Sequence, residues 1–247
     1  MRHLLVIGAQ RCGTTYLHSV LDAHPEIAMA RPARPEPKAF LRPDIEERGL
    51  DWYHAQYFAH AEHERLFGEK STSYIEHPDA ASAAAKLLGA AGIVALLRDP
   101  VARAVSNWQF STASGFEDRP LRQALTENLT TARSWDASAT SVSPYAYLER
   151  GRYAAYLDAW YCEFGDDVHV RFFEELVGRP DAVADLYAVL GVAPEFEPDS
   201  LHMRVNESTE VPPPVDDDVL LDLREYFSAS DTSLRDLLGR ALPWDPA

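Results

Sequence analysis

The first apolar run of the chain, His3 to Ile7, stops at Gly8, and apolar residues resume at helical spacing in Thr14 to Ala23, where Tyr16, Leu17, Val20 and Leu21 share one face. This direct succession of strand, tight glycine loop and helix constrains the chain more than any other feature. A strand that runs into a helix returns to its sheet in parallel, so the expected architecture is α/β. Two later segments follow the same grammar. Gly92 to Leu97 reads as a buried strand, followed by Asp99 as a helix N-cap, Pro100 as the first helical residue, and a helix from Val101 past Trp108. Gly151 to Phe164 places Tyr153, Tyr156, Leu157 and Trp160 on one helical face. Val168 to Phe173 then reads as a third strand and Asp181 to Leu190 as a helix. The expected fold class is α/β, a central parallel sheet flanked by helices, with ligands at the carboxyl ends of its strands. Gly8 to Thr15, Arg98, and Glu174 with Glu175 occupy such ends.

Between these units lie segments with weaker patterns. Arg31 to Pro43 holds four prolines, which exclude a regular helix or a central strand. From Ser111 to Tyr147 the apolar pattern fades, apart from an amphipathic stretch at Leu121 to Leu129. Residues 111–147 are therefore expected to form an insertion, a lid or acceptor-facing segment, on a single domain spanning 1–247. Pro212-Pro213-Pro214 breaks the tail before two amphipathic segments, Val219 to Tyr226 and Leu234 to Leu242. At 247 residues, 46% of them hydrophobic, one large core is expected rather than two small ones.

Charge and cysteine usage narrow the partners. The formal net charge of −16 sets up a field that repels nucleic acid and anionic membrane surfaces, and neither is expected as a partner. The two cysteines, Cys12 and Cys162, are too few for a disulfide framework, so a cytoplasmic location is expected. The apolar run ending at Gly8 is too short for a signal segment or a membrane span. Neither cysteine has a His or Cys partner at zinc-ligand spacing, and no metal is expected.

Gly8-Ala9-Gln10-Arg11-Cys12-Gly13-Thr14-Thr15 resembles a Walker A loop, in which backbone N–H groups and a helix N-terminus cradle an anion. It departs at one position. A nucleoside triphosphatase needs Lys directly after the second glycine for the β- and γ-phosphates, and here Thr14 stands in that place while the cation is Arg11. Such a loop suits a 5′-phosphosulfate, whose reacting group carries less negative charge than a γ-phosphate. The segment Arg98 to Ser106 puts an Arg at a strand end and a hydroxyl two turns into the next helix. Together they offer a planar fork and one further donor to a monophosphate.

Taken together, these segments resemble the sulfotransferases that use 3′-phosphoadenosine 5′-phosphosulfate, in particular the heparan-sulfate-type and tyrosylprotein branches and their bacterial relatives. Gly8 to Thr15 resembles the family's 5′-phosphosulfate loop and Arg98 to Ser106 its 3′-phosphate motif. Gly151-Arg152-Tyr153, with Leu157, Trp160, Phe164 and Gly165, resembles its downstream helix, and Leu237 to Trp244 a bacterial type of ending. Arg11 matches the tyrosylprotein branch, where heparan-type enzymes usually have Lys.

The resemblance implies a P-loop-like sulfotransferase fold. Arg11, Gly13, Thr14 and Thr15, with Cys12 in the same loop, would hold the 5′-phosphosulfate, and Arg98 and Ser106 the 3′-phosphate. Gly151, Arg152 and Tyr153 would belong to the donor site. The co-substrate would be 3′-phosphoadenosine 5′-phosphosulfate and the product adenosine 3′,5′-bisphosphate.

Glu36, in Arg34-Pro35-Glu36-Pro37-Lys38-Ala39-Phe40, matches the family's glutamate that takes the acceptor proton, with Pro35 in place of a lysine. Lys70, in Gly68 to Tyr74, matches a lysine that faces the transferring group or the acceptor. The implied reaction is in-line attack on sulfur by a hydroxyl of a small-molecule acceptor. Glu36 would remove the proton, and Arg11 with the loop N–H groups would stabilise the departing phosphate. Two other readings remain beside it. A P-loop small-molecule kinase is opposed by Thr14 and by Asp99, which reads as a cap rather than a magnesium ligand. A non-catalytic nucleotide-binding module is opposed by a carboxylate placed near an anionic sulfate. Trp52, Tyr53, Tyr57, Phe58, Trp108 and Phe110 either line an apolar acceptor pocket or fill the core.

Overall fold

A computed structural model of the chain describes residues 2–136, 143–202 and 213–245. In chain order its elements are β1 (Arg2–Gly8), α1 (Thr14–Asp22), β2 (Ile27–Met29), α2 (Ile45–Tyr57), β3 (Leu66–Lys70), α3 (Pro78–Leu88), β4 (Ala91–Leu97), α4 (Pro100–Ala113), α5 (Leu121–Asn128), α6 (Tyr153–Phe164), β5 (Val168–Phe172), α7 (Phe173–Leu176), α8 (Pro180–Leu190) and α9 (Asp217–Leu238). They fall into two compact units, Met1–Leu97 with Tyr156–Asn206 and Arg98–Ala155 with Glu207–Ala247.

The first unit holds a five-stranded, all-parallel sheet in the order β2-β3-β1-β4-β5. Leu4, Leu5, Val6 and Ile7 of the central β1 are all fully buried, as a strand covered on both faces requires. On one face Leu4, Val6, Val94 and Leu96 share a core with Tyr16, Leu17, Val20 and Leu21 of α1 and with Val183, Leu186, Tyr187 and Leu190 of α8. The chain winds from β1 to β2 on one flank of the sheet and from β4 to β5 on the other, so the winding switches beside β1. In such sheets the carboxyl ends of the strands at the switch are where ligands bind.

The second unit is built on α4, α5 and α9, whose Val101, Ala104, Val105, Leu121, Leu125, Val219, Leu223 and Phe227 form its core with Tyr147 and Leu148. Arg103 is fully buried within this unit and donates to the Tyr147 carbonyl, so its role is to hold the core together. Glu117 is also buried, and accepts from Arg119 and from the Tyr147 hydroxyl at 2.7 and 2.8 Å. Burial pushes the Glu117 carboxyl up, but the Arg119 hydrogen bonds outweigh it and hold the group at about 2. Of the expected insertion at 111–147, residues 137–142 lie outside the described residues; the rest carries the end of α4, α5 and the Glu117 cluster.

The three expected strands are β1, β4 and β5, and the expected helices from Thr14, Val101, Leu121, Gly151 and Asp181 are α1, α4, α5, α6 and α8. Two strands were not foreseen. β2 has three residues, too few to show a period, and β3 reads Leu-Phe-Gly-Glu-Lys, with a glycine and two charges that suggest a loop, yet all five positions are buried. The two tail segments are joined in one helix as far as Leu238, because the Ser-Ala-Ser-Asp-Thr-Ser stretch between them stays helical from Ser228 to Ser233, with Asp231 buried in line with Leu223, Phe227 and Leu234.

Candidate functional site

The glycine loop leaves β1 at Gly8 and is tied back to β4 by the Ala9 N–H, which donates to the Leu96 carbonyl at 2.8 Å. A Cβ on Gly8 would stand 2.7 Å from Ile75 and 2.8 Å from the Thr72 carbonyl, so the loops after β1 and β3 touch with no room for a side chain. Gly13, with φ of 86°, is the N-cap of α1, and a Cβ there would meet the Phe173 ring at 2.7 Å. Phe173 follows β5 directly. The sequence pointed instead to Glu174 and Glu175 at that end; Glu174 is exposed, and it is the aromatic ring that backs the loop.

Gly13, the N-cap of α1, makes no side-chain cap bond, and first-turn N–H groups left uncapped at a helix amino end are suited to an anion. Thr14 is buried, Thr15 and Arg11 are half-buried, and the Cys12 thiol is fully buried, lying 3.7 Å from the Gln10 carbonyl. Arg11 has φ of 66° and Lys38 φ of 50°. These are the two non-glycine residues with left-handed backbone among those described; Arg11 is itself one of the residues singled out from the sequence, and Lys38 lies two residues after Glu36. Such conformations persist only where the surroundings over-determine them, and they gather at functional sites.

The carboxyl end of β3, the strand paired with β1, carries the second cluster. Lys70 is buried and its ammonium donates to Glu36 Oε1 at 2.5 Å. Glu36 Oε2 accepts from both the backbone N–H and the hydroxyl of Thr72, each at 2.9 Å. The proline-bound loop thus delivers its carboxylate onto the end of β3, and the sequence-predicted Glu36 and Lys70 meet as an ion pair. His18, on α1, lies near the same pair. Burial is the main cause lowering its imidazole pKa; Asp22 and Glu36 pull it up, and Lys70 and Arg31 push it further down. His18 was not singled out from the sequence, where one histidine on a helix gives no sign of what it faces.

The aromatic residues considered for an acceptor pocket mostly belong to the core. Tyr53, Tyr57 and Phe58 are buried and pack edge-on, with Tyr53 also against Phe40. Trp108 donates its indole N–H to the Arg119 carbonyl at 3.0 Å, while Phe110 is exposed.

In the second unit the segment from Arg98 is braced by its neighbours. The Asp99 side chain accepts from the Val101 N–H at 2.9 Å, the cap expected from the sequence. Both Asp99 oxygens also take the Arg224 fork from α9, at 2.9 and 2.7 Å. Tyr153 is fully buried and donates its hydroxyl to the Arg98 carbonyl at 2.8 Å. Gly151 sits where a Cβ would meet Phe227 and Pro100 at 2.7 and 2.8 Å, so only glycine fits. Arg152 is exposed, and Arg98 and Ser106 are half-buried. Gly151 and Tyr153 therefore shape the Arg98 turn from behind; Arg224 does the same, and sequence reasoning missed it.

A family model described as the sulfotransferase domain matches residues 1–207. Among curated proteins, the chain is 28% identical over 210 residues to the bifunctional heparan sulfate N-deacetylase/N-sulfotransferase 1 of Caenorhabditis briggsae, covering 83% of this chain and 24% of that protein. It is 30% identical over 199 residues to the corresponding enzyme 4 of Mus musculus, covering 78% and 22%. It is 32% identical over 111 residues to the membrane-associated sulfotransferase kil1 of Dictyostelium discoideum, covering 44% and 23%. The chain thus spans about a quarter of the length of these relatives. Among solved structures, a sulfotransferase from Alicyclobacillus acidocaldarius superposes with a TM-score of 0.78 at 26% identity, covering 98% of this chain and 97% of that one. The sulfotransferase domain from the curacin biosynthetic pathway shares the fold, with a TM-score of 0.52 at 14% identity over 98% and 99% of the two chains.

Proposed function

The chain belongs to the sulfotransferase domain family, and on that footing we propose that it moves a sulfuryl group from 3′-phosphoadenosine 5′-phosphosulfate to a hydroxyl of a small-molecule acceptor. One arrangement carries the reading: Glu36, fixed by Lys70 and Thr72 at the end of β3, on the strand paired with the one that ends in the glycine loop. The uncapped amino end of α1, with Arg11 as its cation and no lysine after Gly13, fits a 5′-phosphosulfate. When bound, the donor supplies an electrophilic sulfuryl group on a phosphate leaving group.

The chain's own residues divide the remaining work. Arg11 and the N–H groups at Gly13, Thr14 and Thr15 hold and stabilise the 5′ end, while Arg98 and Ser106 hold the 3′-phosphate. Glu36 accepts the hydroxyl proton. An ionised carboxylate has about four acceptor positions, and Lys70 with the two Thr72 donors takes three, which leaves one direction for an incoming hydroxyl. Lys70 fixes the carboxylate and places a positive charge beside it. We read residues 111–147 as the segment that faces the acceptor, on one functional domain. A net charge of −16 favours a small acceptor over a polyanionic chain. The two free cysteines, Cys12 and Cys162, are in keeping with a cytoplasmic enzyme. No helix among the described residues is long and apolar enough to cross a membrane.

Thermal denaturation with nucleotides tests the donor. Adenosine 3′,5′-bisphosphate at about 100 times its dissociation constant is expected to stabilise the protein by roughly 2.7 kcal/mol, and ATP with magnesium far less. Equal or greater stabilisation by ATP with magnesium would favour the kinase reading instead.

A further inference from the structure

Glu69 is fully buried, immediately before Lys70, and has no part in the reaction as derived so far. Its carboxyl collects four donors. The Tyr53 hydroxyl donates at 2.8 Å, the Ser71 hydroxyl at 2.8 Å, and the Tyr74 hydroxyl and the Ala39 N–H also donate to it. Two of these donors pass the contact on. Ser71 Oγ accepts from the Lys38 N–H at 2.9 Å, and the Tyr74 hydroxyl oxygen accepts from the Phe40 N–H at 3.0 Å. Three consecutive backbone N–H groups, of Lys38, Ala39 and Phe40, are therefore fixed by one buried carboxylate, two of them through a hydroxyl and one directly. This stretch begins two residues after Glu36, across Pro37.

We infer that Glu69 is the positioning residue for Glu36, holding the proline-bound loop at the one setting in which the Glu36 carboxylate reaches Lys70 and Thr72. The hydroxyl hydrogens make the arrangement directional. With the Ser71 and Tyr74 hydrogens committed to Glu69, the lone pairs of both oxygens are turned toward the loop N–H groups. Burial, with the Glu69 charge as the second cause, pushes both the Tyr53 and the Tyr74 phenol well above the ordinary range, so both stay protonated and donate. Burial likewise pushes the Glu69 carboxyl up, and the hydrogen bonds from Tyr74, Tyr53, Ser71 and Ala39 pull it down. The left-handed backbone of Lys38 is the local cost of this setting, and the Ser71 contact helps to hold it. Residues Glu69 to Tyr74 thus grip residues Glu36 to Phe40 at five places in one short stretch.

The inference rests on the reading of Glu36 as the base, and a mutant cycle separates the two. Tyr74→Phe cuts the tie to Phe40; Tyr53→Phe removes a hydrogen bond of the same kind from Glu69 without a hydrogen bond to the loop. With 3′-phosphoadenosine 5′-phosphosulfate and an acceptor at saturation, Tyr74→Phe is expected to lower kcat about 10- to 100-fold, as displacement of a base by a fraction of an ångström does. Its affinity for adenosine 3′,5′-bisphosphate should stay within about twofold. Tyr53→Phe, although it also lowers the melting temperature, should lose at least about fivefold less kcat. In a Glu36→Gln background the further loss from Tyr74→Phe should shrink to about twofold or less, because a loop without a base has nothing to position. In Glu69→Gln the NH2 displaces either the oxygen that accepts from both Ser71 and Tyr74 or the one that accepts from Tyr53, so the carboxylate that collects all of these donors is lost and kcat should fall as well. Equal kcat losses in the two tyrosine variants, or an undiminished Tyr74→Phe loss in the Glu36→Gln background, would overturn the positioning role. Wild-type turnover in Glu36→Gln alone would instead sink the base assignment and leave Glu69 as a core residue.

Discussion

Lys70 and Glu36 form a largely buried ion pair, with side-chain exposures of 7% and 18%, and such pairs reveal themselves when one partner is removed. Lys70→Met should destabilise the protein by about 2 kcal/mol, because the Glu36 carboxylate is left with only the Thr72 donors. Adding Glu36→Gln to Lys70→Met should restore at least about half of that loss, since the stranded charge is gone. Urea unfolding of the three variants measures both steps, and a further loss in the double variant would mean that the pair is not what holds these side chains. At this scale the sequence was informative where a residue sat in a distinctive frame. Glu36 between two prolines, the Walker-like loop from Gly8 to Thr15 and the Asp-Pro helix start all stood out. Glu69, His18 and Phe173 did not. A Glu beside a Lys reads as a solvated charge, because exposed carboxylates are so common, and only the tertiary fold brings Tyr53, Tyr74 and the Ala39 N–H around it.

The helix with most to test is α9, whose Arg224 grips Asp99 and whose Asp231 is buried, accepting from the Trp244 indole at 3.0 Å. Arg224→Gln should loosen the Arg98 turn and weaken binding of adenosine 3′,5′-bisphosphate by about fivefold, roughly the equivalent of one ordinary hydrogen bond. Adenosine 5′-phosphate, without a 3′-phosphate, should bind as before; equal losses for both ligands would mean that Arg224 supports the unit as a whole. Burial raises the Asp231 carboxyl to about 6, against the pull of Trp244, Arg224 and Arg235. A carboxyl raised on folding adds stability below its unfolded pKa of about 3.9, and that contribution is lost as pH rises through about 6. Asp231→Asn should therefore be more stable than wild type at pH 7, by roughly 2–3 kcal/mol, with the difference closing as pH falls toward 4. Melting curves across that range check the sign, and a difference that widens on acidification would contradict it. Elements with strong periodicity or capping signals were legible, α1, β1 and α4 among them. α9 read as two segments because its middle is polar, and β3 read as a loop because its charges are buried only by virtue of partners distant in sequence.

Over the whole molecule, the order β2-β3-β1-β4-β5 brings the glycine loop after β1 and the Lys70 to Thr72 segment after β3 to the carboxyl ends of adjacent strands. The chemistry proposed for the chain depends on that adjacency, and it could not be read from a sequence in which β3 was invisible. The parallel α/β class was legible, since repeated strand-to-helix units allow little else, and so was the family, through motifs whose order and separation agree with the match over residues 1–207. The acceptor was not legible, because an acceptor surface is made of ordinary side chains with no fixed spacing. The central claim is that this chain transfers a sulfuryl group with Glu36 as the base. The most direct test is mass spectrometry of a pool of hydroxylated metabolites incubated with 3′-phosphoadenosine 5′-phosphosulfate and either wild-type protein or Glu36→Gln. The expected result is an acceptor that gains one SO3 group, with matching release of adenosine 3′,5′-bisphosphate. Glu36→Gln should form that product about 10²- to 10⁴-fold more slowly at unchanged donor affinity. Phosphorylated products from ATP with the sulfated donor left intact, or sulfation at the wild-type rate by Glu36→Gln on a weakly acidic alcohol, would contradict it.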